Sequence, residues 1–188
     1  MLGPQGSGKG TQAKKISDAY EVPHIATGDM FRAAITAETD LGKLVAPLLA
    51  AGELVPDDVT IALIRERLGE EDAQNGFVLD GFPRNIAQAE ALDAMLEEID
   101  RPLSVVLLLE LSDDTARQRL AKRAALEGRA DDQPEAIERR LRDYHEKTEP
   151  VVDHYLTTGK IVKMHAERPI DAVWAEIENT LEQVQARA

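Results

Sequence analysis

A lysine at position 9 is preceded by glycines at positions 3, 6 and 8 and followed by Gly10 and Thr11, in the stretch GPQGSGKGT. The spacing G-x-x-x-x-G-K suits the capture of phosphate. Glycines let backbone N–H groups converge on phosphate oxygens unobstructed, a helix starting there aims its positive end at them, and the lysine reaches the terminal phosphates. Gly6, Ser7, Gly8, Lys9, Gly10 and Thr11 are therefore the candidate triphosphate-binding residues. Position 10 departs from the general pattern, which places Ser or Thr there; Thr11 offers its hydroxyl one residue later. Magnesium is accordingly expected on phosphate oxygens and water, with no direct protein ligand. A flexible turn with a chance lysine is the competing reading, and it fits poorly a loop that runs straight into the helix-like TQAKKISDAY.

Three further stretches narrow the chemistry: ATGDMFR at 26–32, GELVPDDV at 52–59 and FVLDGFPRNIAQA at 77–89. With the arginines of QRLAKR, GRADD and ERRL, they resemble the nucleoside monophosphate kinases, the adenylate kinases most closely, in the right order over essentially the whole chain. The resemblance implies reversible, magnesium-dependent transfer of a phosphoryl group from ATP to AMP, giving two ADP, in adenine nucleotide homeostasis and nucleotide biosynthesis. Such transfer depends on charge neutralisation and in-line placement more than on a covalent nucleophile, so arginines are the residues to count. By the resemblance Arg32 and Arg84 grip the monophosphate, Arg119 stacks on the ATP adenine, and Arg123, Arg129 and Arg140 approach phosphates from both sides. Arg168 lies where the family contacts the ATP base through its backbone. Asp80 takes the metal-side role, orienting magnesium-bound water. Any one of these alone reads as a solvated arginine or a turn aspartate; their motifs make them a set. Arg139 and Arg142 are left on the surface.

Acceptor specificity is also legible. Gln88 lies one helical turn beyond Arg84, and its amide offers a donor and an acceptor to an adenine edge. Kinases for UMP and CMP resemble this sequence but tend to carry Asn at the position of Gln88 and a small residue without a hydroxyl at that of Thr27, so this pair favours AMP. The backbone of Glu53, Leu54 and Val55, together with Gly81, Phe82 and Pro83, is expected to complete the AMP site. The alternatives are a kinase for another monophosphate and a nucleotide-binding module without turnover.

The elements that must position these residues follow from length and pattern. At 188 residues the chain reads as one domain, and its net charge of -13 argues against nucleic-acid or anionic-membrane partners. The longest apolar run, VVLLL, is too short to span a bilayer, and the absence of cysteine suits a cytoplasmic protein. Four scattered histidines and no cysteine leave no structural zinc site. Short apolar runs near 22–26, 77–80, 104–111 and 161–164 alternate with amphipathic stretches, the pattern of helices wrapped over a parallel sheet. Ile137, Leu141, Tyr144, Thr148, Val151 and Tyr155 form one core face, and Ile170, Val173, Ile177, Leu181 and Val184 another. The expectation is a three-layer α/β fold of the P-loop kinase type, acting as a monomer. Its monophosphate-binding segment spans 26–55, and a short lid loop over 124–134 stands where longer relatives carry a small lid domain. In the expected sheet order, 2-3-1-4-5, the first strand is central, yet only Met1 and Leu2 precede the glycine loop. The sequence reading therefore expects a sheet whose first strand is largely missing and a start that lies upstream.

Overall fold

The computed structural model describes residues 1–186, and its strands are the short apolar runs that the sequence singles out. Helix α1 (Lys9–Tyr20) leads into strand β1 (His24–Ala26), and α2 (Thr27–Thr36), α3 (Asp40–Ala50) and α4 (Asp57–Leu68) carry the chain to β2 (Val78–Asp80). After α5 (Ile86–Glu98) comes β3 (Val106–Glu110), then α6 (Asp113–Glu127), α7 (Pro134–Asp143) and α8 (Glu149–Leu156), then β4 (Ile161–His165) and α9 (Ile170–Gln185). β1 pairs with β2 and β3 with β4, both in parallel, with registers His24 to Val78 and Val106 to Ile161. Parallel neighbours need long crossovers, which the helices supply.

Several helix starts follow from capping side chains. Thr39 caps α3 by accepting from Gly42 N, Asn85 caps α5 by accepting from Gln88 N, and Ser112 caps α6 by accepting from Thr115 N. The unbroken apolar run of β3 reflects burial on both faces. Leu107 and Leu109 pack with Ala13 and Ile16 of α1 and with Val173 and Ile177 of α9, whereas Leu108 packs with Ala89 of α5 and with Val151 and Tyr155 of α8. Successive strand side chains point to opposite faces, so a strand covered by helices on both sides must be apolar at every position. Burying each such side chain is worth roughly 1.5–3 kcal/mol.

Leu2 forms an isolated parallel bridge to Leu108: its N–H donates to Leu107 O (2.8 Å) and its C=O accepts from Leu109 N (2.9 Å). The Met1 nitrogen donates to Leu79 O at 2.7 Å. These two residues thus bond toward β2 on one side and β3 on the other, and Leu2 is a buried core residue.

Two expectations need adjustment. All six residues of the face from Ile137 to Tyr155 are buried, but they do not share one helix: a π-helical turn at Tyr144–Thr148 separates α7 from α8. Ile170 is not in the core; it opens α9 directly after Pro169, at the rim of the cavity described below, and is 55% exposed. In the lid stretch, α6 continues to Glu127 and ends at Gly128 (φ 62°), after which a 3-10 turn at Ala130–Asp132 leads to α7.

Candidate active site

The C-terminal ends of the parallel strands open onto one cavity of about 1230 Å³, lined among others by Gly3, Ala26, Asp80 and Ala166. Ligand sites in parallel α/β sheets lie at this edge because the loops leaving the strands converge there. The volume exceeds the ~300–1,000 Å³ of an ordinary single-ligand pocket. The glycine loop forms its floor. Gly3 (φ 137°) sits so close to β3 that a Cβ there would lie 2.4 Å from Leu109 O, and Gly8 (φ 89°) makes the left-handed turn from which α1 starts. The first N–H groups of α1 therefore face the cavity. Ser7 Oγ is buried beside them with no hydrogen-bond partner among the described residues, as a ligand-directed hydroxyl would be.

Lys9 folds back over the loop, its Nζ donating to Gly3 O (2.8 Å) and Pro4 O (2.9 Å). Burial lowers its pKa to about 8; Arg84, Arg140 and Arg123 act in the same direction and Asp80 opposes them. Burial alone would push Asp80 up, but His24, whose Nε2 lies 3.4 Å from Oδ2, and Lys9 outweigh it and hold the carboxyl at about 2. Gly10 lies beside this carboxylate: a Cβ there would meet Asp80 Oδ2 at 3.4 Å, an ordinary contact. An ionised carboxylate facing a phosphate loop suits a hydrated divalent cation shared with phosphates, so the residues present fit magnesium. Among the described residues no group of three or more His, Cys, Asp or Glu is placed to hold a metal alone.

Arginines line the remaining walls. Arg119 Nη1 donates to Gly6 O (3.3 Å). Arg123 grips Asp132 through two bonds of 2.6 Å, and Arg140 reaches Asp131 Oδ2 and Asp132 Oδ1, both at 3.0 Å. Arg129 pairs with Glu127 at 2.6 Å. Burial lowers the pKa of Arg140 to about 10, with Asp131 opposing and Arg84 and Arg123 adding to the shift. In a chain of net charge -13, Lys9, Arg84, Arg119, Arg123, Arg129 and Arg140 thus gather on this cavity wall, where a polyphosphate would relieve their mutual repulsion.

On the opposite side, Thr27 donates to Gly81 O (3.0 Å) and Arg84 Nε to the same carbonyl (2.7 Å). Arg32 pairs with Asp29, and Glu53 with Arg139, one of the two arginines that the sequence reading leaves on the surface. Leu54, Val55, Gly81, Pro83 and Gln88 line the same end. Gln88 is buried, its Oε1 accepting from Arg84 N (2.8 Å). Arg168, Pro169 and Ile170 line the end near Arg119, where Gln12 Nε2 donates to Ile170 O (2.9 Å); Arg168 itself pairs with Glu176.

Every candidate site residue except Phe82 lies on this cavity wall; Phe82, 1% exposed, packs instead among Ile64, Leu79 and Leu92. Sequence reasoning passed over Gln12, His24, Asp131, Asp132 and Thr148. Asp131 and Asp132 stand in the same GRADD stretch that supplies Arg129, and paired carboxylates among phosphate-seeking arginines were the available signal.

A family model described as Adenylate kinase matches residues 1–160. The chain is similar to an adenylate kinase of a Cyanothece strain, 45% identical over 98% of this chain and 95% of the relative. It is similar also to one of Xanthomonas campestris, 42% identical over 96% of this chain and 97% of the relative. A third, of Stenotrophomonas maltophilia, is 45% identical over 94% of this chain and 95% of its own length.

Proposed function

The chain belongs to the adenylate kinase family, and on that premise we propose that it transfers the terminal phosphoryl group of ATP to AMP, reversibly and with magnesium, to give two ADP. The observation that carries the reading is a single cavity with a glycine loop and Lys9 in the middle, Arg119 and Arg168 at one end, and Thr27, Arg84 and Gln88 at the other. Two nucleotides bound at those ends bring their phosphate chains together over Lys9.

ATP lies with its phosphates on the N–H groups of residues 6–11 and its base between Arg119 and the backbone near Arg168. AMP lies with its phosphate on Arg32 and Arg84 and its base against Gln88, Thr27 and the backbone of 53–55. On nucleotide entry Lys9 leaves the carbonyls of Gly3 and Pro4, and Arg123 and Arg140 exchange aspartate for phosphate oxygens. Arg129 joins them from the short lid. These cations draw off charge that builds on the transferred group, where fixed charges in a dry site act most strongly. When bound, magnesium supplies further neutralisation of the phosphates, with the ionised Asp80 holding its water. Closure of the segment 26–55 and of the lid near 124–134 excludes water, so transfer to AMP outruns hydrolysis.

The strands are best read as one five-stranded sheet of order β1, β2, Met1–Leu2, β3, β4; the bonds of Met1 to Leu79 and of Leu2 to Leu107 and Leu109 support this. Both ends of the cavity come from one chain, which supports a monomer. Among the described residues no helix is long and apolar enough to cross a membrane, and the chain lacks cysteine; both suit a cytoplasmic enzyme.

Phosphorylation of AMP, UMP, CMP and GMP by ATP in a coupled assay tests the reading. AMP is expected to be the preferred acceptor by about a hundredfold or more, the discrimination that hydrogen-bonded base edges allow. Preference for UMP or CMP would establish the pyrimidine alternative, and no turnover with any acceptor would leave only a binding module.

A further inference from the structure

The orientation of the Gln88 amide decides which purine edge it can read, and a residue outside the cavity sets that orientation. A bidentate amide meets the adenine edge, a 6-amino donor beside the N1 acceptor, with oxygen to the amino group and N–H to N1. Turned over, the same amide meets a 6-oxopurine edge, an acceptor beside an N1–H donor. Gln88 has two anchors. Its Oε1 accepts from Arg84 N (2.8 Å), and its Nε2 donates to Asp57 Oδ1 (2.7 Å). The first anchor can only donate and the second can only accept, so the flipped amide would face donor with donor and acceptor with acceptor. One N–H and one oxygen lone pair remain for a base.

Asp57 opens α4 and does not line the cavity. The same Oδ1 accepts from Asn85 Nδ2 (2.9 Å), whose own Oδ1 is held by the N–H of Gln88 as the cap of α5 (2.9 Å). Both amides therefore turn their nitrogens toward one carboxylate.

We infer that Asp57 is a specificity-determining positioning residue: through Gln88 it selects 6-aminopurine over 6-oxopurine monophosphates. The inference rests on the placement of AMP at this end of the cavity. The Asp57→Ala variant loses the acceptor that opposes the flip and leaves Arg84 N–H alone to hold the amide. A hydrogen bond to a charged group is at stake, so the ratio of kcat/KM for AMP over IMP is expected to fall about tenfold or more, with KM for ATP unchanged. Asp57→Asn removes the charge at the start of α4 but keeps an acceptor oxygen, and should hold the ratio within about threefold of the wild type. If the alanine variant does not fold, Asp57→Ser, too short to reach Gln88 and well tolerated at a helix start, takes its place.

A ratio that stays within about twofold of wild type in the folded alanine or serine variant overturns the assignment, as does an equal loss with AMP and IMP in both the alanine and asparagine variants, which would mark a merely structural residue. A wild-type protein that does not use AMP overturns the proposed function and this inference together. A wild type that uses AMP while the ratio does not move overturns this inference alone.

Discussion

Lys9 is where the charges of the cavity converge. Its lowered pKa, about 8, arises from burial first and from Arg84, Arg140 and Arg123 second. Bound phosphate favours the ammonium form, so nucleotide raises this pKa. Affinity for ATP is therefore full below about pH 8 and declines as pH rises through that value, and binding near pH 8.5 takes up protons. Calorimetric titration in buffers of different ionisation enthalpy measures the uptake; flat affinity from about pH 7 to 10 with no uptake would contradict the assignment. At this scale the loop and its lysine are legible in the sequence because a contiguous spacing encodes them. Their partners are not. His24 meets Asp80, and Thr148 donates to Arg84 O at 2.9 Å, only after segments far apart in the chain are folded together.

Among the elements, the connection from α6 to α7 carries the largest unbalanced risk. Asp132, with no exposed side-chain surface, is gripped by Arg123 and touched by Arg140. Removing that carboxylate strips the partly buried Arg123 of its bidentate partner and leaves Asp131 alone to balance Arg140. Asp132→Ala is expected to lower stability by about 3 kcal/mol, and the melting temperature by roughly 6–12 °C for a chain of this size. Excess ATP should restore much of the loss, because its phosphates replace the carboxylate. An unchanged melting temperature in the absence of nucleotide would show that the cluster is not structural. Most elements were readable: strands at 24–26, 78–80, 106–110 and 161–165 fall within or within one residue of the apolar runs. The break of the Ile137 to Tyr155 face into two helices was not, since a π-helical turn preserves inward facing while shifting register, and periodicity alone does not register it. Ile170 misled for a related reason: the first residue of a helix shares its period without sharing its burial.

For the whole molecule, the central claim is that one cavity holds two adenine nucleotides and exchanges a phosphoryl group between them. The order of motifs along the chain made this legible, together with arginines recurring inside those motifs in a chain of net charge -13. The resemblance placed the first strand at the centre and expected it largely missing; that Met1 and Leu2 by themselves bond to Leu79 on one side and to Leu107 and Leu109 on the other was not legible, because two residues carry no periodicity. The most direct measurement supplies the protein with magnesium and ADP alone and follows the nucleotides by ³¹P NMR. A kinase that binds ADP at both ends of the cavity must disproportionate it, the ADP at the monophosphate end giving its phosphoryl group to the one at the ATP end, whereas a pyrimidine monophosphate kinase has no donor at its monophosphate end and a binding module transfers nothing. The account predicts ATP and AMP appearing in equal amounts, and a rate at least about a hundredfold lower for Lys9→Met, since the fixed charge over the transferred group is lost while the loop still folds. ADP that persists unchanged beside folded wild-type protein, or equal rates in the wild type and Lys9→Met, would contradict it.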